Sequence, residues 1–235
     1  MSFFGKNLRH IRTRKNQTVA NFAQELGIWE DTLRKYEADK AEPGLDTLIE
    51  ISDKLNLPVD HLLRRDLGKY EQVVAGKKIR MVLLDVDGTM TDGGMYYNQT
   101  GDQIKRFDVK DGLAVHRAIT RYGMLFGFIS SGSADKVIQA RAAALGVQYV
   151  HSGKEPKIEI AARWISETGI GFEHIAYIGD DFNDLPLMKK VSLSACPADA
   201  ARQIKSAADI VLTRKGGEGC IREFLEDVME LDFSK

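Results

Sequence analysis

The fold class is decided by the stretch Met81-Val82-Leu83-Leu84-Asp85-Val86-Asp87-Gly88-Thr89 of this 235-residue chain. Its first four residues are apolar without alternation, which predicts a short strand that is buried on both faces. Gly88 then permits a tight turn. Two further apolar runs, 124–129 and 174–178, also end where small and polar residues begin. These three runs predict strands of one parallel sheet.

Amphipathic segments lie between and after these runs, and they predict helices at 112–122, 134–145, 157–168 and 185–190. Strands that alternate with helices indicate an α/β domain, which we place at 79–235. Residues 1–66 instead predict a small all-α domain of five short helices. The segment between the two domains, 67–78, is polar and charged and predicts a linker.

The composition excludes several classes of protein. The chain has 33 basic and 34 acidic residues, so a globally basic nucleic-acid binder is not indicated. Its two cysteines, Cys196 and Cys220, have no metal-ligand spacing, which argues against a disulfide scaffold or a zinc site. No apolar run approaches the ~18 residues of a membrane helix, and the N-terminus has no apolar stretch of signal-peptide length. We therefore expect a cytoplasmic protein with no membrane partner.

Acidic and hydroxyl side chains follow each predicted strand at the point where it ends. Ligand sites of open α/β sheets lie at the carboxyl ends of the strands, so we expect these side chains to meet. A lysine at the start of a later helix, Lys157, is a further candidate. The strand-end residues are Asp85 and Asp87 after the first run, Ser131 after the second, and Asp180, Asp181 and Asp184 after the third.

These residue types favour phosphoryl transfer. Several carboxylates at one place repel each other, and hard oxygen ligands favour Mg²⁺ together with a phosphate. One carboxylate can attack phosphorus, and a second can protonate the leaving oxygen and then activate water. Lys157 and the Ser131 hydroxyl can hold the phosphoryl oxygens. Each residue alone is common as part of a turn, a helix cap, a loop or a solvated helix face, but their joint occurrence favours a site.

At these residues the sequence resembles the haloacid dehalogenase superfamily of phosphohydrolases. The resemblance implies that Asp85 is the nucleophile and Asp87 the general acid/base. It places Mg²⁺ on Asp85, the backbone carbonyl of Asp87, and Asp180, with Asp184 as a supporting acid and Asp181 as an alternative metal ligand. The family's four motifs match Asp85–Thr89, Ser131, Lys157 (with Lys154 as a weaker candidate) and the run Asp180, Asp181 and Asp184.

A closer resemblance covers about residues 79–230. The stretch 92–118 is similar to the 3-deoxy-manno-octulosonate 8-phosphate phosphatases and their relatives acting on nine-carbon 2-keto acid phosphates. It implies a Mg²⁺-dependent phosphatase of a 2-keto-3-deoxy sugar acid phosphate, as in lipopolysaccharide or sialic-acid-like biosynthesis, acting through an aspartyl phosphate. The matching residues are Asp92-Gly93, Gly101, Lys105, Phe107, Asp111-Gly112, Arg141, Leu145-Gly146 and the tail 216–223.

That group lacks a mobile cap domain, and the 25 residues between Ser131 and Lys157 are too few for one. The implied architecture is a Rossmann-like parallel-sheet domain without a large cap, next to the helical domain. The group forms homotetramers in which a β-hairpin and the chain's tail shape the neighbour's site. Residues 95–108 match that hairpin, with its tip at 98–101. A simple edge ribbon is the alternative interpretation.

The candidates for substrate contacts are Thr89, Lys105, Gly132 and Arg222. Lys105 either binds the substrate carboxylate or builds the subunit interface; Arg222 has the same two interpretations, and a surface ion pair is a third. The group usually has Thr-Gly-Arg at the second motif, where this chain has Ser131-Gly132-Ser133. This departure leaves open which eight- or nine-carbon sugar acid is cleaved.

The first 66 residues resemble the Cro-type helix-turn-helix domain, with 28–36 as its recognition helix. This segment has 11 basic and 11 acidic residues. Its recognition helix opens on Trp29-Glu30-Asp31, where carboxylates would meet phosphates. DNA is therefore a weakly supported partner, and no nucleic-acid-binding residue is assigned. The basic residues cluster at Lys6, Arg9, Arg12, Arg14 and Lys15.

Two functions follow from these observations. The favoured one is a sugar-phosphate phosphatase whose helical domain serves assembly or is a relic. The alternative is a DNA-binding transcriptional regulator that senses a sugar phosphate through a phosphatase fold. The presence of Asp85 and Asp87 favours the enzyme, since a sensor needs no nucleophile.

Overall fold

The computed structural model describes residues 2–132 and 135–233, and it divides the chain into two compact units, 1–72 and 73–235. The predicted linker begins with a helix that its polar composition did not indicate, and the boundary between the units falls within this helix. The helices up to this point are α1 (Phe4–Arg14), α2 (Val19–Leu26), α3 (Glu30–Glu37), α4 (Leu45–Leu55), α5 (Val59–Arg64) and α6 (Leu67–Val74).

The first unit confirms the predicted all-α domain, and side-chain and backbone caps define its helix ends. The Thr18 hydroxyl accepts a hydrogen bond from the Asn21 amide at 3.2 Å and so caps α2. Gly27 ends that helix in the left-handed conformation, with φ of 68°. The core of the unit is apolar, and Phe22, Leu26 and Leu33 are buried within it.

The second unit contains the predicted parallel sheet, with six strands in the order β5-β4-β1-β6-β7-β8. Every pairing in this sheet is parallel, and the central strand β1 pairs with β4 on one side and β6 on the other. Three of the six strands, β5, β7 and β8, were missing from the sequence-based prediction. The strands are β1 (Met81–Asp85), β4 (Leu125–Ser130), β5 (Tyr149–Ser152), β6 (Ile175–Ile178), β7 (Leu193–Cys196) and β8 (Ile210–Val211).

Helices of the second unit pack against the sheet and position its polar edge. Gly127 on β4 allows close packing, since a Cβ atom there would lie 2.6 Å from the Trp164 ring of α9. Trp164 in turn contacts Tyr149 on β5. The helices are α7 (Val109–Tyr122), α8 (Asp135–Leu145), α9 (Lys157–Thr168), α10 (Leu185–Met188), α11 (Arg202–Ala207) and α12 (Cys220–Glu223).

The segment predicted as a hairpin is confirmed as one. Strands β2 (Tyr96–Tyr97) and β3 (Gln103–Ile104) pair antiparallel, and the Asn98 side chain organises the turn between them. Ser133, which departs from the family pattern, lies outside the described residues. Among the helices that the structure describes, none combines the length and the apolar character that crossing a bilayer demands.

Candidate active site

The candidate site lies where β1, β4 and β6 end side by side. Because β1 pairs with both neighbours in parallel, their carboxyl ends share one edge of the sheet. The chain leaves β1 toward β4 on one side and later returns to β6 on the other, so this edge is a switch point of the topology. A cleft of about 300 Å³ opens there. Its lining includes Asp85, Asp87, Lys105, Ser131, Gly132, Asp180, Asp181 and Asn183, together with part of the hairpin.

The wide turn after β1, Val86–Met90, brings the loop close to Asp180. Gly88 has φ of 90°, which favours glycine, and a Cβ atom there would lie 2.2 Å from Asp180 Oδ2. The Thr89 hydroxyl donates to Asp180 Oδ1 at 3.1 Å. Thr89 is buried, so the structure gives this predicted substrate contact a different partner, the Asp180 carboxylate.

Lys157 joins two buried carboxylates beneath the cleft. Its ammonium donates to Asp85 Oδ1, and it donates to Asp184 Oδ1 at 2.5 Å. The Tyr177 hydroxyl donates to the same Asp184 oxygen at 2.5 Å. Lys157, Asp85 and Asp184 are all less than 5% exposed, so this is a desolvated network in which each charge depends on its partners.

The Asp184 side chain holds its own loop in place by accepting hydrogen bonds from the backbone. Its second oxygen, Oδ2, accepts the backbone N–H groups of Asp180 and Asp181 at 2.8 and 3.0 Å. Both Asp184 oxygens thus accept hydrogen bonds from within the protein. The Asp181 carboxylate accepts the Phe182 N–H at 2.8 Å and caps the short helical turn that follows.

Oxygens of Asp85, Asp180 and Asp184 lie within 4.8 Å of one another, which is close enough to share one cation. Burial, with the charge of Asp184 second, raises the pKa of Asp180 to about 6. Burial also raises the pKa of Asp85, because the attraction of Lys157 does not fully offset the desolvation and the two neighbouring carboxylates. Burial opposes the charged form of Lys157, but Asp85 and Asp184 outweigh it and its pKa is raised. The negative charge of the carboxylates is therefore not balanced by Lys157 alone. Their hard oxygens fit a divalent cation.

Asp87 lies on the open side of the site. Its Oδ2 accepts the Ser130 hydroxyl at 2.9 Å, and its Oδ1 accepts the Lys105 ammonium from the hairpin. The Asp87 side chain is 41% exposed, against 6% for Asp85. The two carboxylates therefore differ in environment, one buried against a lysine and one facing the cleft.

Ser131 and Gly132 form the wall of the cleft at the end of β4. The Asn183 amide donates to the Ser131 hydroxyl at 2.9 Å, and the Gly132 N–H donates to Ser130 at 3.0 Å. Asn183 and Ser130 were not predicted as site residues. Each lies directly beside a predicted one, Asp184 and Ser131 respectively, but the sequence does not show their contacts.

Two other candidates from the sequence, Arg222 and Lys154, have different surroundings. The Arg222 guanidinium pairs with Glu226 one helical turn later, at 2.8 Å, which is the ion pair that the sequence left as one interpretation. Lys154, the weaker candidate for the third motif, is exposed, whereas Lys157 is buried among the carboxylates.

The segment 216–220 packs on the turn after β1. The Gly217 N–H donates to the Thr89 carbonyl at 3.0 Å, and the Cys220 thiol approaches the same oxygen at 3.4 Å. A Cβ atom on Gly216 would lie 1.9 Å from the Gly88 carbonyl oxygen. Since no side chain fits at this position, Gly216 lets a segment distant in sequence support the loop that carries Asp87.

Comparisons with known proteins agree with this geometry. A model of haloacid dehalogenase-like hydrolases matches residues 150–224, and a helix-turn-helix model matches residues 8–62. The 3-deoxy-D-manno-octulosonate 8-phosphate phosphatase of Escherichia coli (strain K12) is 34% identical over 151 residues, which are 64% of this chain and 79% of that protein.

Two solved structures are similar to about two thirds of the chain. The 3-deoxy-D-manno-octulosonate 8-phosphate phosphatase of Moraxella catarrhalis, in complex with magnesium, phosphate and KDO, has a TM-score of 0.64 and 29% identity, covering 71% of this chain and 92% of that one. The cobalt-bound enzyme of Haemophilus influenzae has a TM-score of 0.62 and 33% identity, covering 66% and 89%. This chain therefore belongs to the haloacid dehalogenase-like hydrolases, in the same family as these phosphatases, and is a phosphoric monoester hydrolase with an N-terminal helix-turn-helix domain.

Proposed function

We propose that the protein hydrolyses the phosphate ester of an eight- or nine-carbon 2-keto-3-deoxy sugar acid, with 3-deoxy-D-manno-octulosonate 8-phosphate as the first candidate. The observation that carries the proposal is the pair Asp85 and Asp87 at one cleft, the first buried against Lys157 and the second exposed to the cleft. The relatives that cover most of the second unit are phosphatases of this substrate by name.

The pair divides the reaction into two steps. The Asp85 carboxylate attacks phosphorus and forms an aspartyl phosphate, while the ester P–O bond breaks and Asp87 gives its proton to the leaving oxygen. Asp87 then takes a proton from water, whose oxygen attacks the same phosphorus and releases phosphate and Asp85. Ser131, with Asn183 behind it, is placed to donate to a phosphoryl oxygen. Lys157 favours the ionised form of Asp85 and holds its carboxylate in place.

We propose Mg²⁺ as the cofactor, held by Asp85, Asp180 and the Asp87 carbonyl. A bound Mg²⁺ would supply charge stabilisation to the phosphoryl group in a site that is otherwise rich in carboxylates. Asp180 fits this role better than Asp181, since the raised pKa of Asp180 reflects burial beside another carboxylate, whereas Asp181 caps a turn.

We expect removal of divalent cations with EDTA to abolish phosphate release, and added Mg²⁺ to restore it. Asp180→Asn should raise the Mg²⁺ concentration for half-maximal activity by roughly 10-fold or more, because one charged ligand is lost. Asp181→Asn is the matched control and should shift it much less. Titrations of activity against Mg²⁺ decide between them, and equal shifts would contradict the choice of Asp180.

Our proposal of the substrate class rests on a lysine that lines the cleft. Among the described lining residues only Lys105 is basic, and its side chain is 8% exposed. A 2-keto acid carries a carboxylate that such a charge can bind, whereas a simple sugar phosphate has none. Lys105 lies on the hairpin, so the hairpin would contribute to substrate choice.

A screen should therefore find higher kcat/KM for eight- and nine-carbon keto acid phosphates than for aldose phosphates of similar size. Lys105→Met should lower kcat/KM more for the keto acid phosphates, by about 10-fold relative to the aldose phosphates, since one charged contact is worth roughly 1.5–3 kcal/mol. The aldose phosphates control for the Lys105–Asp87 contact, which both substrate classes share. An equal loss for both classes would reject Lys105 as a carboxylate ligand.

A further inference from the structure

The basic residues of α1 and its C-cap, Lys15, pair with carboxylates of the first unit. Lys6 pairs with Asp66 at 2.5 Å, and Lys15 pairs with Glu25 at 2.5 Å. Arg14 lies 3.6 Å from Glu71. These cations would have to give up carboxylate partners before they could bind phosphates.

The same holds deeper in the unit. Arg12 donates two hydrogen bonds to Glu37, at 2.6 and 2.9 Å, and the buried Glu37 carboxylate also lies 3.9 Å from Arg9. This bidentate contact raises the pKa of Arg12. The basic cluster of the sequence is thus part of the unit's own ion-pair network, and the fold alone does not make it a surface for DNA.

The outer face of α3 carries both signs of charge in a fixed order. Glu30 and Asp31 lie in its first turn, and Arg34 and Lys35 in its last. Within one chain they pair one turn apart, Glu30 with Arg34 and Asp31 with Lys35, both at 2.6 Å. All four are exposed, whereas Leu33 and Tyr36 on the opposite face are buried. The face has no net charge, but it is negative at its first turn and positive at its last.

An apolar side chain adjoins the acidic end of this face. Trp29, directly before α3, is 84% exposed, an unusual position for so large a ring. Tryptophan is also the aromatic residue that contributes most at centres of protein interfaces. The combination of an exposed indole and a charge-balanced helix face indicates a protein surface as partner.

We propose that the α3 face with Trp29 binds the α3 face of a second copy of this chain, with the two helices antiparallel. In this arrangement Glu30 faces Lys35 of the second copy, and Asp31 faces Arg34, so every charge meets its opposite around a two-fold axis. Each Trp29 then lies beside the basic last turn of the other helix, where a cation can contact the indole face. The helix-turn-helix domain serves self-association through the element that its relatives would use for DNA.

This contact is small, because an eight-residue helix is only about 12 Å long. It falls well below the area of a stable interface, so we expect a weak association that depends on protein concentration or on assembly through other parts of the chain. The emission of the exposed Trp29 ring can itself report on this association. The chain has two tryptophans, and the other, Trp164, is buried in the second unit.

The test is acrylamide quenching of tryptophan emission in the full chain, with Trp29→Phe to subtract the signal of Trp164. In concentrated wild-type protein we expect Trp29 to be shielded. The double variant E30K/D31K, whose α3 face is entirely basic, should lose this shielding. The fourfold variant E30K/D31K/R34E/K35E, in which the polarity is inverted, should regain it, and so should a mixture of E30K/D31K with R34E/K35E. Phosphatase turnover should be unchanged in all of these variants, because the altered residues lie outside the catalytic unit.

Several results would overturn the proposal. One is that acrylamide quenches Trp29 emission as strongly as that of free indole at every protein concentration. Another is shielding that charge reversal does not change, or that is lost in E30K/D31K and not regained in the fourfold variant or the mixture. A third is shielding that appears only when duplex DNA is added, which would assign the face to nucleic acid. Because the readout is independent of turnover, it stands apart from any failure of the proposed substrate.

Discussion

Asp85→Asn is expected to reduce phosphate release by roughly 10⁴-fold or more, since the amide cannot act as the nucleophile. Asp85 ends the central strand and is buried, and the change to asparagine is nearly isosteric. The fold should persist, because β1 keeps its pairing with both neighbours. Steady-state release of phosphate, with circular dichroism as the check on folding, measures this.

Covalent labelling identifies the nucleophile directly. Wild-type protein that is quenched in acid during turnover should carry labelled phosphate, and Asp85→Asn should carry none. Asp87→Asn is the matched variant. With p-nitrophenyl phosphate, whose leaving group needs no proton, it should still form the aspartyl phosphate and accumulate it, because activation of water is impaired. Near-normal turnover of Asp85→Asn, or label on that variant, would reject Asp85 as the nucleophile.

Lys157→Met is expected to lower both activity and stability. It leaves Asp85 and Asp184 without the cation that both contact. Removing one partner from a buried ionic network costs about 3–5 kcal/mol, and we expect a loss of this size in the free energy of unfolding. The pKa of Asp85, already raised by burial, should rise further and reduce the fraction of ionised nucleophile.

Chemical denaturation measures the loss of stability. Turnover, measured where the variant is fully folded, measures the loss of activity separately. Lys154→Met provides a matched control, since Lys154 is three residues away and exposed. It should change the free energy of unfolding by less than about 0.5 kcal/mol and leave turnover as in the wild type. If the two methionine variants behaved alike, Lys157 would have no special place in the site.

The elements that the sequence predicted well are those with an unambiguous local signal. The run Met81–Leu84 has no polar residue, and α9 begins at Lys157, where the helix was predicted to begin. Strands β5, β7 and β8 were missed for a physical reason. β8 has only two residues, and β5 (Tyr-Val-His-Ser) and β7 (Leu-Ser-Ala-Cys) mix polar with apolar residues. Their strand conformation comes from pairing with neighbours, which local composition does not report.

The candidate site also has features that the sequence could predict and features that it could not. The carboxylates could be placed because strand ends fix them in space, and order along the chain identifies strand ends. The contacts between side chains could not be placed in this way. For Lys105 the sequence predicts a contact with the substrate or with an interface, and its contact with Asp87 depends on the hairpin, which lines the cleft. Tyr177 on β6 has an apolar neighbourhood in the sequence, and only the fold brings its hydroxyl to Asp184.

The packing of Gly216 and Gly217 on the turn after β1 has a consequence for synthesis of the protein. Asp85 leaves the ribosome long before these glycines are translated, since 131 positions separate Asp85 from Gly216. At 5–20 residues per second this interval is about 7–26 s. The helical domain has its own core and can form during that time. The phosphatase loop obtains its support only after Gly216 and Gly217 are translated, so a nascent chain carries the nucleophile without a finished site, and a chain truncated before Gly216 would lack the support for its loop.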